Sequence, residues 1–429
     1  MKQSFLLSWR QLVRGHVLTL LLVATALIHL FLPALVRGDG TASGWREMFI
    51  RAVPGATYAF SAVTVLACAC GFFAQERERR RLALTVVRPV SLFRVAVGRW
   101  LALCAVASAA IGLTAVLTGF RVAEAPSCMH HHSPKMPPAN EVAKSIMQDY
   151  LTHPEMIQDP GLRALVTNAP PSEILRILTN READRYDVVG PGQTVEWPFD
   201  KSLETVPEKT VRARFATQLD LTSSFSGVFT LGSFGATVSN KTQSILDVPL
   251  ARLSSVERSP TDDRPFALQF ENTWNQTVML RPRRDLEVLV QADSFRFNLV
   301  RAAIQMISTI ALLAAFGLFL SSALSRPVAI FTAVVTLLVV LIAPSVVEQF
   351  PDTLDIRFVD RIGVLVSRGV AVVTRAAGEA EPISRLATDT CIEWGELAWC
   401  CAMNLLVLPA ALLGVSTVIV RRKPLGDQN

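Results

Sequence analysis

Six stretches of this chain are apolar for about 20 residues each, the length an α-helix needs to cross a hydrocarbon core of roughly 30 Å. They run Val17 to Val36, Gly55 to Ala74, Trp100 to Phe120, Ala302 to Ser322, Val328 to Val347 and Leu397 to Val420. Lipid offers the backbone no hydrogen bonds, so each is read as a membrane-spanning helix. Composition agrees: 51% of the 429 residues are hydrophobic and 18% charged, against about a quarter charged in soluble domains. The first stretch is too long for a signal peptide alone, and Pro33-Ala-Leu-Val36 is a poor cleavage site.

The net charge of +6 calls for no nucleic acid, because the basic residues gather beside the apolar stretches. Lys2, Arg10 and Arg14 precede the first; Arg77 to Arg81, Arg88, Arg94 and Arg99 separate the second and third; Arg326 separates the fourth and fifth; Arg421, Arg422 and Lys423 end the sixth. Short loops rich in Lys and Arg stay cytoplasmic. The expected protein is integral to the cytoplasmic (inner) membrane, with both termini on the cytoplasmic side and residues 37–54, 121–301 and 348–396 outside.

The fold class expected is a polytopic α-helical membrane protein of six transmembrane helices, carrying an inserted α+β extracytoplasmic domain. Residues 1–120 hold spans one to three. Their first 15 residues form an interfacial amphipathic helix, with Phe5, Leu6, Trp9, Leu12 and Val13 on one stripe. His29 lies inside the first span, and a neutral imidazole, bonded to a neighbouring helix or snorkelling near the outer interface, is favoured over a functional one. The outer domain, residues 121–298, reads as helical over about 138–186, where Asn140 to Tyr150 and Pro171 to Leu178 carry helix-start chemistry and helical spacing. Over about 190–292 the period changes to two, as in Val211/Ala213, Phe266/Leu268/Phe270 and Leu286/Val288/Val290, which suggests an antiparallel β-sandwich. Asp293 to Asn298 lead straight into span four. Residues 299–429 hold spans four to six with an outer interfacial segment over 349–396. There Asp355 to Ala377 form a helix with Arg361, Arg368 and Arg375 on its polar face.

No G-x-x-x-x-G-K-[ST] and no G-x-G-x-x-G after a strand is present, so the chain holds no nucleotide by itself. No Ser/His/Asp grouping can be assembled from the outer histidines. Cys128 with His130, His131 and His132 is the one metal-like cluster, suited to copper or zinc; a polar linker outside span three is the alternative. Five of the seven cysteines lie in or beside spans, while Cys128 and Cys391 fall outside, where pairing is open.

The most charged run is Phe73-Ala-Gln-Glu76-Arg-Glu78-Arg-Arg-Arg-Leu82, followed by Arg88-Pro89-Val90-Ser91 and Gly98-Arg99. In order and position it resembles the type-2 ABC-transporter permease family, whose first inner loop commonly reads F-A-x-E-x-E-x-G-T-L, then T-P-V-S, then G-K. Arg80 and Arg81 stand where that family has Gly and Thr. The likeness covers most of the membrane part and is nearest to permeases with large extracytoplasmic domains, related to those associated with multicopper-enzyme maturation.

The resemblance implies a permease subunit, working with a second permease copy or paralogue and a separate ABC ATPase subunit that uses ATP and Mg. It implies no directly bound cofactor, no enzymatic activity of the chain's own, and export of an unknown substrate. Val90 to Gly98 would be a short coupling helix between spans two and three. Glu76, Glu78, Arg88, Pro89, Val90, Ser91, Leu92, Phe93, Gly98 and Arg99 would couple it to the ATPase, with Leu92 and Phe93 in the partner's cleft. Two other readings stand beside it: a membrane-anchored receptor or scaffold whose outer domain binds a ligand or envelope partner, and a metalloenzyme built on Cys128 and His130 to His132.

Overall fold

The computed structural model describes residues 2–36, 42–78, 91–122, 128–153, 169–206, 209–213, 216–217, 224–232, 234–241, 246–252, 266–349 and 382–422, with isolated positions 159, 162–163 and 166. The segment 355–377, expected as an interfacial helix, lies outside these residues. Two compact units result: Met1–Cys128 with Asp293–Phe350 and Asp355–Asn429, and Met129–Ala292 with Pro351–Leu354.

The first unit is helical. Helix α1 (Lys2–Arg14) is the expected amphipathic helix, burying Ser8 and Leu12 and stacking Phe5 on Trp9. It ends at a turn where His16 takes φ 58°, and α2 (Val17–Leu35) follows. His29 Nδ1 lies 3.0 Å from the Thr25 carbonyl of its own helix. Helix α3 (Ala42–Glu78) starts well before the expected Gly55, with Gly44, Pro54 and Gly55 all accommodated inside it. Helix α4 is Leu92–Arg121.

Among the described residues, five helices are long and apolar enough to cross a membrane: Val17–Leu35, Gly44–Glu76, Leu92–Arg121, Phe295–Ala323 and Trp394–Arg422. The fifth apolar stretch of the sequence is also helical, Arg326–Gln349, but its described apolar length, Arg326–Leu338, is shorter than a span.

The helix Phe295–Ala323 is the most buried of these five and packs against α3, α4 and the C-terminal helix. Gly317 lets it approach α3 closely, since a Cβ there would stand 2.6 Å from the Cβ of Ala69. Small residues at such crossings are how membrane helices gain dispersion contact.

The second unit begins with β1 (Cys128–His132), α5 (Ala139–Thr152) and α6 (Pro171–Ala183); the two helices bury Ala143, Ile174 and Leu178 together. After β1, ten more strands are described: β2 (Asp187–Val189), β3 (Thr194–Pro198), β4 (Lys209–Ala213), β5 (Ala216–Thr217), β6 (Ser224–Leu231), β7 (Phe234–Lys241), β8 (Leu246–Arg252), β9 (Ala267–Glu271), β10 (Val278–Leu280) and β11 (Leu286–Asp293). Eight pair in the order β1-β11-β4-β8-β7-β6-β9-β3, an antiparallel sheet curled into a half-barrel, and β2, β10 and β5 form a separate three-stranded sheet.

The period-two residues are the ones that turn inward: Val211, Ala213, Leu268, Phe270, Leu286, Val288 and Val290 are all buried. Phe229 on β6 faces Phe270 on β9 in register, with ring centroids 4.8 Å apart. Cross-strand aromatic pairs of this kind add about 0.2–1 kcal/mol beyond an alanine pair. The buried Trp197 indole finds its acceptor in Asp187 Oδ2 at 2.7 Å.

After Asp293, Ser294 caps the next helix by accepting from Phe297 N at 3.5 Å. That helix is α8 (Phe295–Ala323); α7 (Pro282–Asp285) precedes it, and α9 (Arg326–Gln349), α10 (Pro382–Ala387), α11 (Trp394–Cys401), a π-helical segment (Ala402–Val407) and α12 (Leu408–Arg422) follow.

Candidate functional site

The end of α3 and the start of α4 bring together residues that stand 23 apart in sequence. Arg99 Nη2 donates to Glu76 Oε1 at 2.5 Å, and the guanidinium carbon sits 4.4 Å from the Phe73 ring centroid and 5.7 Å from that of Phe72. Arg99 is only 5% exposed. A buried arginine keeps its charge, and one carboxylate plus two aromatic faces is the environment that makes this tolerable. One turn-neighbour away, Gly98 lies against α1: a Cβ there would meet Ser4 Cβ at 2.8 Å and Phe5 N at 3.0 Å. The charged run therefore supplies a junction of three helices, fixed by an ion pair on one side of α4 and by a missing side chain on the other.

The remaining members of the predicted set are distributed as follows. Ser91 precedes α4 in an extended conformation, without a side-chain cap bond. Leu92 is buried, whereas Phe93 is 41% exposed. Glu78 ends α3, and its side chain lies outside the described residues, as do Arg88, Pro89 and Val90.

One expectation is corrected. Leu92 to Gly98 do not form a separate short helix but are the first turns of the 30-residue α4. Nothing between Leu92 and Arg121 breaks a helix, since no proline occurs and Gly98 is held by its contact with α1.

Phe72 and Ser4 were not singled out by pattern, and Phe5 only as part of the amphipathic stripe of α1. The signal for them was the pairing of a glycine with a lone arginine at the head of an apolar helix.

A second cluster joins the loop between α10 and α11 to the start of α8. Asn298 reads the loop backbone twice: Nδ2 donates to the Thr390 carbonyl and Oδ1 accepts from Ile392 N, both at 2.9 Å. Arg301 donates from Nη1 to the Ile392 carbonyl at 3.2 Å and from Nη2 to Asp293, and stacks 4.4 Å from the Trp394 ring centroid. Arg46 pairs with Asp389 from α3 at 2.7 Å. Between these contacts Cys391 is bonded to Cys128.

That disulfide decides the metal question for one candidate ligand. Cys128 is not a free thiolate, so the Cys/His set proposed from the sequence loses its softest donor. On β1 successive side chains alternate, which puts His130 and His132 on one face and His131 on the other. His131 Nδ1 lies 2.7 Å from Glu287 Oε2. Burial and the neighbouring His130 hold the His132 imidazole below the usual histidine range, against the opposing pull of Asp200. Among the described residues no group of three or more His, Cys, Asp or Glu converges as a metal site. What the described residues bring together is a charged helix junction and a clamped loop.

Compared with models of protein families, with characterised proteins and with solved structures, the chain matches none.

Proposed function

We propose that the chain is the membrane-spanning permease subunit of an ABC transporter, exporting its substrate with energy from a separate ATPase subunit that binds ATP and Mg. The observation that carries this reading is the junction of Glu76, Arg99, Phe72 and Phe73 with Gly98 packed on α1. It ties three apolar or amphipathic helices together next to Phe93, an exposed aromatic flanked by the exposed Arg94. A motion imposed on Phe93 by a docked partner would pass along α4 without an intervening hinge. The predicted family motif and the buried pair fall on the same residues, which a loop selected only for positive charge would not require.

In this reading α9 is the sixth span, both termini are cytoplasmic in the inner membrane, and residues 121–298 are extracytoplasmic, with the sheet closing as a sandwich. Membrane crossing parity supports the sixth span. Cys128 and Cys391 are bonded and must therefore lie on one side, yet only one of the five long apolar helices falls between them. A second crossing is needed, and α9 is the apolar helix available. The disulfide also favours the oxidising side for that face. A second copy or a paralogue of the chain completes the transporter, and lipid surrounds the spans.

Co-purification from the native host tests the proposal. The intact protein is expected to bring down an ABC ATPase, and Phe93→Asp to release it while leaving the melting temperature of the membrane protein unchanged. Recovery of a ligand-binding protein but no ATPase, from wild type and variant alike, would make the chain a receptor or scaffold instead.

A further inference from the structure

Helix α8 carries a polar stripe through the apolar unit. Asn298, Arg301, Gln305 and Ser308 are spaced i, i+3, i+7 and i+10, which places them on one helical face, and all four are buried. Three of them engage the chain opposite. Asn298 and Arg301 hold Thr390 and Ile392, and Ser308 Oγ lies 3.5 Å from Cys400 Sγ. Gln305, between those levels, is 1% exposed, and neither its Oε1 nor its Nε2 has a hydrogen-bond partner among the described residues. One turn earlier on the stripe, Arg301 Nε is also buried without a partner among them.

The surroundings of Gln305 are polar and uncharged. Thr309 Oγ1 and Ser308 Oγ both donate to its backbone carbonyl, at 3.1 Å and 2.8 Å, and the Tyr58 hydroxyl of α3 is hydrogen-bonded to Thr309. Opposite, Asn404 Nδ2 donates to Cys400 Sγ at 3.2 Å, at the point where the helix widens into its π-helical segment. π-segments open helix backbones and occur disproportionately at functional sites. A carboxamide moved into an apolar medium with no partner costs several kcal/mol per group, and native interiors rarely leave one so. Something must therefore give to Gln305 Oε1 and accept from Gln305 Nε2. Arg301, the cation on the same stripe, is already neutralised by Asp293, so a charged ligand finds no free counter-charge there among the described residues.

We infer that Gln305 marks an internal hydration site at the seam of α3, α8 and α11, where bound water bridges its carboxamide to the hydroxyls of Tyr58 and Thr309 and to Arg301 Nε. Water meets the requirement because it both donates and accepts, and this seam supplies the two to four polar partners that a buried water uses. The site lies ten residues into α8 from Phe295, about 15 Å of helix rise, within the stretch long and apolar enough to cross a membrane.

Radiolytic labelling of the full-length protein in lipid nanodiscs in ¹⁸O-water tests this, because radicals formed from a bound water oxidise the sulfur beside it. Cys400 reports on the seam. Cys70, fully buried among Leu66, Leu320, Ala329 and Ala333, is the dry internal control. Cys400 is expected to take up severalfold more ¹⁸O than Cys70, and Gln305→Leu to bring it down to the Cys70 level. Gln305→Asn, which keeps the amide, should retain most of the signal. Equal labelling of Cys400 and Cys70 in the wild type overturns the inference, even if Gln305→Leu fails to fold. Labelling of Cys400 that persists in a folded Gln305→Leu protein overturns it as well.

Discussion

Arg46 and Asp389, 343 residues apart, meet in an ion pair whose Nη2 and Oδ2 are 2.7 Å apart, with side-chain exposures of 16% and 9%. Asp389 occupies the left-handed region at φ 59°, where a short polar side chain is tolerated far better than a branched one.

Removing one charge should strand the other. Arg46→Met is expected to destabilise the helical unit by about 3 kcal/mol, the scale for breaking a buried pair. Arg46→Met with Asp389→Asn should recover part of that loss, because Asn keeps the backbone conformation while removing the unpaired charge. Thermal unfolding in detergent reads both; a double variant no more stable than the single one would show that charge pairing is not what the contact supplies.

Gly98 sets the distance between α1 and α4. Gly98→Ala improves helix propensity by about 1 kcal/mol but inserts a methyl 2.8 Å from Ser4 Cβ, an overpacking cost of about 1–3 kcal/mol. The two nearly offset in global stability, so hydrogen exchange is the better measurement. Faster exchange confined to residues 2–14 is expected, with partial restoration by Ser4→Gly. Unchanged exchange there would mean that α1 does not depend on this contact.

Lys209 on β4 is 2% exposed, with Nζ 3.7 Å from the Phe234 ring centroid and 3.4 Å from the Glu204 carbonyl. Burial brings its pKa down to about 8 from 10.5, with Glu204 opposing. A lysine whose folded pKa is depressed binds fewer protons in the folded state than in the unfolded state between those values, so stability should rise with pH across that window. The expected result is that Lys209→Met melts above the wild type below pH 8, and that the gap narrows as pH approaches 10.5. A gap that stays constant across the window would indicate an unshifted lysine.

Local pattern carried much of the fold. Leu286, Val288 and Val290 announce one buried face by spacing alone, and Phe5, Trp9 and Leu12 announce α1, because both signals depend only on residues a few positions apart. Strand order was not legible, since β11 lies between β1 and β4 in the sheet through contacts more than 70 residues distant in sequence. The same holds for Asn298, whose partners Thr390 and Ile392 lie over 90 residues away. Glu76 and Arg99 were legible as residues of interest but not as a pair. The separate coupling helix failed for a local reason: the apolar pattern of α4 simply continues backward through Leu92, and only a breaker would have divided it.

The bond between Cys128 and Cys391 spans 263 residues, and this orders events during synthesis. At roughly 5–20 residues per second, Cys128 emerges some tens of seconds or less before its partner and must remain a reduced, unspent thiol throughout. During that interval the strands of the inserted unit are made in full, and so are α8 and α9. Oxidation is thus a late seal on an assembled molecule, and a chain stalled before residue 391 would carry one exposed cysteine as the mark of its incompleteness.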